Sequence, residues 1–188
     1  MKRTAFITLC LIASAASLDA QATMVLPDKP LPPEHARMRD AAYVLRDTLF
    51  AVTSAAARLN RDFRQTSDAS LVSRAREMSL ACGAVERNIA DPRAAITGTA
   101  TDSRFREREK QRLLGAFTDL ARAAATCTSR FASLSEAGKG EEVRGYGNRD
   151  AAAMVSEIRK YEGALDGFFR SMNIPNRPRG ARPNPLAG

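Results

Sequence analysis

The chain has 188 residues, a formal net charge of +8, three cysteines and no Trp. Its length suits one domain with a real core, and abundant Ala with sparse β-branched residues disfavours a sheet. The basic balance comes from Arg, since Lys stands only at 2, 29, 110, 139 and 160. Acidic residues are interspersed among the arginines, which argues against a dedicated nucleic-acid surface. Two readings of the Arg excess remain: the codon bias of a GC-rich genome, or an anionic partner such as an envelope polymer, a lipid headgroup or an acidic protein.

Met1, Lys2 and Arg3 form a short positive start. An apolar run from Ala5 to about Leu18 follows, and then the small-x-small site Ala20-Gln21-Ala22. This three-part pattern predicts a secretory signal peptide over 1–22, cut after Ala22 to leave Thr23 first. The run is short for a membrane span, which needs about 20 residues. Cys10 lies inside the run without small residues just before it, so it is no lipidation site. Cleavage leaves Cys82 and Cys127, an even count that favours a disulfide in an oxidising compartment. The expected location is a periplasm or the cell exterior.

Residues 23–33 hold Pro27, Pro30, Pro32 and Pro33 and predict an extended segment. The helical domain is expected over 34–173. A first helix runs from about Pro33 to Gln65 on the stripe Met38, Ala42, Leu45, Leu49, Val52, Ala56, Leu59 and Phe63, in alternating steps of four and three. A second starts at the cap Ser67 or Asp68 and carries Leu71, Ala75, Met78, Cys82, Val85 and Ile89. Asp91-Pro92 stops it or caps a short further turn through Ile96, and Gly98 ends that piece.

A third helix starts near Thr101 or Asp102, with almost wholly charged first turns from Arg104 to Arg112. Its stripe is Leu113, Phe117, Leu120, Ala124, Cys127, Phe131 and Leu134, and Gly138-Lys139-Gly140 ends it. A loop over 138–147 leads to a fourth helix from about Asn148, with Ala151, Met154, Ile158, Tyr161, Leu165, Phe168 and Met172, closed by Pro175. From 174 to 188 the sequence is Pro-rich and basic, with Arg177, Arg179 and Arg182, and predicts a disordered tail. The fold class is therefore all-α, an antiparallel up-down four-helix bundle.

Both cysteines sit on the apolar stripes of helices expected to be neighbours, which favours a bridge between them. Closing a loop of about 45 residues contributes roughly 4 kcal/mol in the chain-entropy account. A level hairpin would turn near 104 or 105, whereas the connection centres near 100. The resulting mismatch is roughly 13 Å if both arms are helical. The bridge therefore requires a break at Asp91-Pro92 and a non-helical path from there to Thr101.

No catalytic, cofactor or metal motif stands out. Covalent haem needs Cys-x-x-Cys-His and a di-iron bundle needs Glu-x-x-His, and the chain has neither. Its one histidine, His35, begins the first helix and reads as solvated, and the adjacent Glu141 and Glu142 read as a solvated loop pair. Gly145-x-Gly147 is too short for a phosphate loop. Three features suit binding instead. Arg104, Arg108 and Arg112 form a row on one helix face that suits an anion, diluted by Glu107 and Glu109. Ala56, Ala75, Cys82, Ala124 and Cys127 form a layer of small residues that either packs tightly or leaves a pocket. Gly163 and Gly167 suit close helix contact or a kink.

The expected function is a non-enzymatic interaction module of the cell envelope, including a holdase-like shielding of unfolded clients. The alternative is a carrier of a small apolar ligand or non-covalent haem in the core.

Overall fold

A computed structural model describes residues 30–63 and 67–175 of the chain. The expected signal peptide, residues 23–29 of the Pro-rich entry segment and the basic tail from 176 lie outside the described residues, and Pro33 of that segment is already helical. The described helices all belong to the unit that begins at Leu31. Among the described residues every regular element is helical, so the chain is all-α, with four long helices.

Helix α1 spans Pro33–Asp62. Pro33 opens it at a position where a missing N–H is no loss, and Glu34 and Arg61 complement the two ends of its dipole. The expected stripe from Met38 to Leu59 is buried. The helix stops at Asp62 rather than at Gln65, and residues 64–66 lie outside the described residues.

Helix α2 spans Asp68–Asn88 and buries Leu71, Ala75, Met78, Cys82 and Val85. Its end is set from the following turn. Pro92 offers no N–H to the Asn88 carbonyl and its ring crowds that carbonyl, so the α-helical ladder breaks at Ile89. Ile89 itself stays in the right-handed helical region, and helix α3 follows at once over Ala90–Gly98. The non-helical path expected from Asp91 to Thr101 is thus mostly a helix. Buried Pro92 and Ile96 hold it against its neighbours.

Helix α4 spans Arg104–Glu136, and its cap is Ser103 rather than Thr101 or Asp102. The Ser103 hydroxyl accepts a hydrogen bond from the Arg106 amide at 3.2 Å, satisfying one of the four free N–H groups of the first turn. The expected stripe from Leu113 to Leu134 is buried.

The loop expected over 138–147 is largely helical. A short turn α5, Gly140–Glu142, passes into a π-helical turn over Val143–Gly147 and then directly into α6, Asn148–Ser171. Val143 and Gly147 of the π turn are both buried. Gly140 is buried so closely against α2 that a Cβ there would overlap Asp68 Cα, Cβ and Cγ. Helix α6 buries its expected stripe and also Ala164 and Phe169. It ends before Pro175. Asn173 takes the left-handed conformation at φ 54°, its amide bonds to the Arg170 carbonyl at 3.2 Å, and the Ile174 amide bonds to the Phe169 carbonyl at 2.9 Å. This pair of bonds is a Schellman cap, sealed by buried Ile174 and Phe169.

Helix α1 packs on α2 and α6, α4 packs on the same two helices, and α3 lies against α1 and α4. Named contacts mark each seam. Between α1 and α2, Arg74 reaches Asp62 at 2.6 Å, Glu77 bonds to both Arg58 and Arg74, and Asn88 bonds to Thr48 at 3.1 Å. The Arg58 hydrogen bond, with Arg74 adding, holds the Glu77 carboxyl below its usual range against the opposing effect of burial. Between α1 and α6, Arg46 faces Asp166 at 3.6 Å. Between α4 and α6, Phe117 and Tyr161 meet edge to face at 4.9 Å.

The α2–α4 seam is covalent. Cys82 and Cys127 form a disulfide with Cα atoms 5.9 Å apart, inside the usual range. The length mismatch is resolved in the connection. Cys82 to Gly98 covers roughly 24 Å of helix and Arg104 to Cys127 roughly 35 Å. The remaining ~11 Å falls to Thr99–Ser103, whose extended reach is about 17 Å.

Two outcomes test this account. Replacing both Cys82 and Cys127 by Ala is expected to lower stability by about 4 kcal/mol in urea denaturation; a change below ~1 kcal/mol would show that the cross-link does not constrain the unfolded chain. Gly140→Ala is expected to destabilise by ~1–3 kcal/mol through overpacking on Asp68. Gly163→Ala, where a Cβ meets open space, is expected to stabilise by about 0.5–1 kcal/mol. Equal midpoints for the two variants would contradict the close approach at Gly140.

Candidate functional site

The interior is the first place to look for a ligand. Ala56, Ala75, Cys82, Ala124 and Cys127, the small residues expected to form a layer, are all buried in one continuous apolar core. The larger grooves lie outside that core. One of about 650 Å³ runs between α4 and α6 over Ala123, Cys127 and Met154, and its charged rim pairs internally as Arg122–Asp119 and Lys160–Glu157. Another of about 340 Å³ lies between α1 and α6 over Ala56, Ala151 and Ala152. Tyr161 brings a hydroxyl into the core. That oxygen is buried and has no hydrogen-bond partner among the described residues. Burial pushes the phenol well above its usual range, with Arg46 opposing.

His35 is less solvated than its position suggests, with 18% of its side chain exposed and Glu34 at 4.0 Å. Among the described residues no group of three His, Cys, Asp or Glu is placed to hold a metal ion. Glu141 is exposed, and Glu142 pairs with Lys139 at 3.1 Å. Of the two helix-four glycines, Gly167 makes the close contact, since a Cβ there would lie 2.8 Å from Glu109 Oε2. Gly163 faces open space.

The charged first turns of α4 are where the structure departs most from the sequence pattern. Arg104, Arg108 and Arg112 all lie on the exposed face. Of the acids that interrupt them in sequence, Glu109 lies near Arg112 alone and Glu107 bonds to other partners. Glu107 accepts hydrogen bonds from Gln111 at 2.7 Å and Thr101 at 2.6 Å, bonds that hold its carboxyl below the usual range. Glu109 turns toward Gly167 on α6 with 14% of its side chain exposed. Arg112 stays 67% exposed, with Glu109 at 3.9 Å. Arg104 has no ion pair among the described residues, and Arg108 lies over the ring of Phe105 at 5.6 Å.

The other two cations of this segment tie the end of the fold together. Arg106 bonds to Asp102 at 2.6 Å and to the Ser171 carbonyl at the end of α6 at 2.8 Å. Lys110 bonds to the Thr99 carbonyl at 2.7 Å. The start of α1 meets the same end, where Met38 Sδ lies 3.3 Å from the Thr99 hydroxyl and Tyr43 donates to the Pro175 carbonyl at 3.1 Å. Exposed Glu34 and Arg37 belong to the first two turns of α1. The positive end of the α4 dipole adds to these charges instead of offsetting them.

Phe105 is the residue that the sequence pattern did not single out. It is 53% exposed. The signal was present, because it is the one apolar residue between Arg104 and Arg112. No protein-family model, no curated protein and no solved structure matches the chain.

Tyr161→Phe removes a buried hydroxyl that has no partner among the described residues. Stability in urea denaturation is expected to stay level or to rise by up to ~1 kcal/mol. A loss larger than ~1 kcal/mol would reveal a hydrogen bond to that hydroxyl.

Proposed function

We propose that the chain is an exported, non-enzymatic interaction module of the cell envelope that meets an anionic partner through the α4 end of an antiparallel up-down four-helix bundle. Export is supported by the three-part pattern over residues 1–22. The bundle arrangement is supported by the order of contacts. As α2 advances from Arg74 to Asn88, its partners on α1 run back from Asp62 to Thr48. Ser79 likewise bonds to the Thr128 carbonyl at 3.0 Å, beside the disulfide.

The observation that carries the reading is the segregation of charge at the start of α4. Arg104 and Arg108 face outward without a carboxylate partner among the described residues, while Glu107 bonds to Thr101 and Gln111 and Glu109 lies near Arg112. An exposed cation with no internal partner is available to an external anion at little desolvation penalty. The grooves between α4 and α6 and between α1 and α6 open at the surface, which supports action there.

The test is retention of the purified protein on a washed envelope fraction. Retention is expected to fall as salt rises. It is expected to drop by roughly tenfold or more in the Arg104→Glu, Arg108→Glu double variant, with the helical circular dichroism unchanged. Retention equal to that of the parent would refute a role for this end.

A further inference from the structure

We infer that the anionic partner is a phospholipid surface, with Phe105 seated at the headgroup boundary between Arg104 and Arg108. This inference rests on the reading of the basic end given above and adds the chemistry of what that end meets.

Three observations point to lipid. First, the exposed cations enclose an exposed aromatic ring. A polyanion in water rewards the charges but offers nothing to the ring, whereas a bilayer interface rewards both. The Arg108 guanidinium over the Phe105 ring keeps the cation and the apolar surface together. The apolar stems of Arg104 and Arg108 can follow the ring while their heads remain at the phosphates.

Second, the end is held rigidly. Arg106 is fixed by Asp102 and the Ser171 carbonyl, and Lys110 by the Thr99 carbonyl. The tip that carries Arg104, Phe105 and Arg108 is therefore preorganised, and little side-chain or loop ordering opposes contact.

Third, separate parts of the chain bring positive charge to the same end. Exposed Arg37 lies in the second turn of α1 and exposed Arg170 in the last turn of α6. No described helix is long and apolar enough to cross a membrane. One aromatic ring and a few cations give reversible attachment, each Arg near an anionic surface contributing about five-fold.

The experiment is co-sedimentation of the full-length protein, as purified from its own cells, with lipid vesicles. One set is phosphatidylcholine containing about a third phosphatidylglycerol, the other pure phosphatidylcholine. Salt-sensitive retention on the anionic vesicles alone is expected. The Arg104→Gln, Arg108→Gln double variant is expected to bind about 25-fold more weakly, and Phe105→Ala about tenfold more weakly, each with unchanged circular dichroism. Equal retention on both vesicle types, or full retention of Phe105→Ala, overturns the lipid proposal. Absence of vesicle binding alongside Arg-dependent retention on the envelope fraction also overturns it, and leaves the interaction module with a non-lipid anion. Loss of both kinds of retention sinks the two readings together.

Discussion

The register between α2 and α4 is fixed by a single covalent contact between two apolar stripes, and much of the remaining geometry follows from it. With Cys82 and Cys127 level, α4 extends roughly 26 Å further than α2 does toward the connection between them. Helix α3 and the extended residues Thr99–Ser103 fill that distance. Because α3 continues the path of α2 instead of looping away, α4 begins at the far end of the fold. There its first turn meets the last turn of α6 through Arg106 and Ser171. The bend at Ile89 that Pro92 imposes thus determines which residues share the basic end.

That end also shows how helical phase sorts charge that looks mixed in sequence. Arg and Glu alternate almost strictly from Arg104 to Glu109, and a solvated, self-neutralising face is the ordinary outcome. A step of about 100° per residue, with Glu107 anchored by Thr101 and Gln111 and Glu109 lodged against Gly167, separates the two signs. Gly167 has a defined part in this arrangement, since a side chain there would press on the Glu109 carboxylate.

The four long helices and nearly all of their buried residues are legible in the sequence, because a heptad stripe records which face is apolar without reference to partners. Connections are less legible. The stretch 140–147 contains three glycines and reads as a loop, yet contact between Gly140 and the Asp68 backbone makes a helical path the compact one. The cap of α4 falls at Ser103 because its hydroxyl reaches Arg106, a choice among three adjacent polar residues that composition does not make. The end of α6 depends on Asn173 adopting a left-handed conformation, which precedes the Pro175 that a sequence reader notices first. Phe105 escaped notice for a related reason: a lone aromatic in a charged run is outside every periodic pattern, and its meaning appears only when its exposure is known.

The burial of both sulfurs has a consequence for the order of assembly. Cys82 and Cys127 are almost inaccessible once the helices have closed around them, and thiol oxidation requires an oxidant to reach a thiolate. Access to the two sulfurs is greatest while α2 and α4 are paired but not yet covered. Cys127 emerges during synthesis well before α6 does, so a hairpin of α2, α3 and α4 can be locked covalently first and receive α6 afterwards. The closed protein then shields the bond from reductants, and the oxidation becomes, in kinetic terms, a one-way step in its maturation.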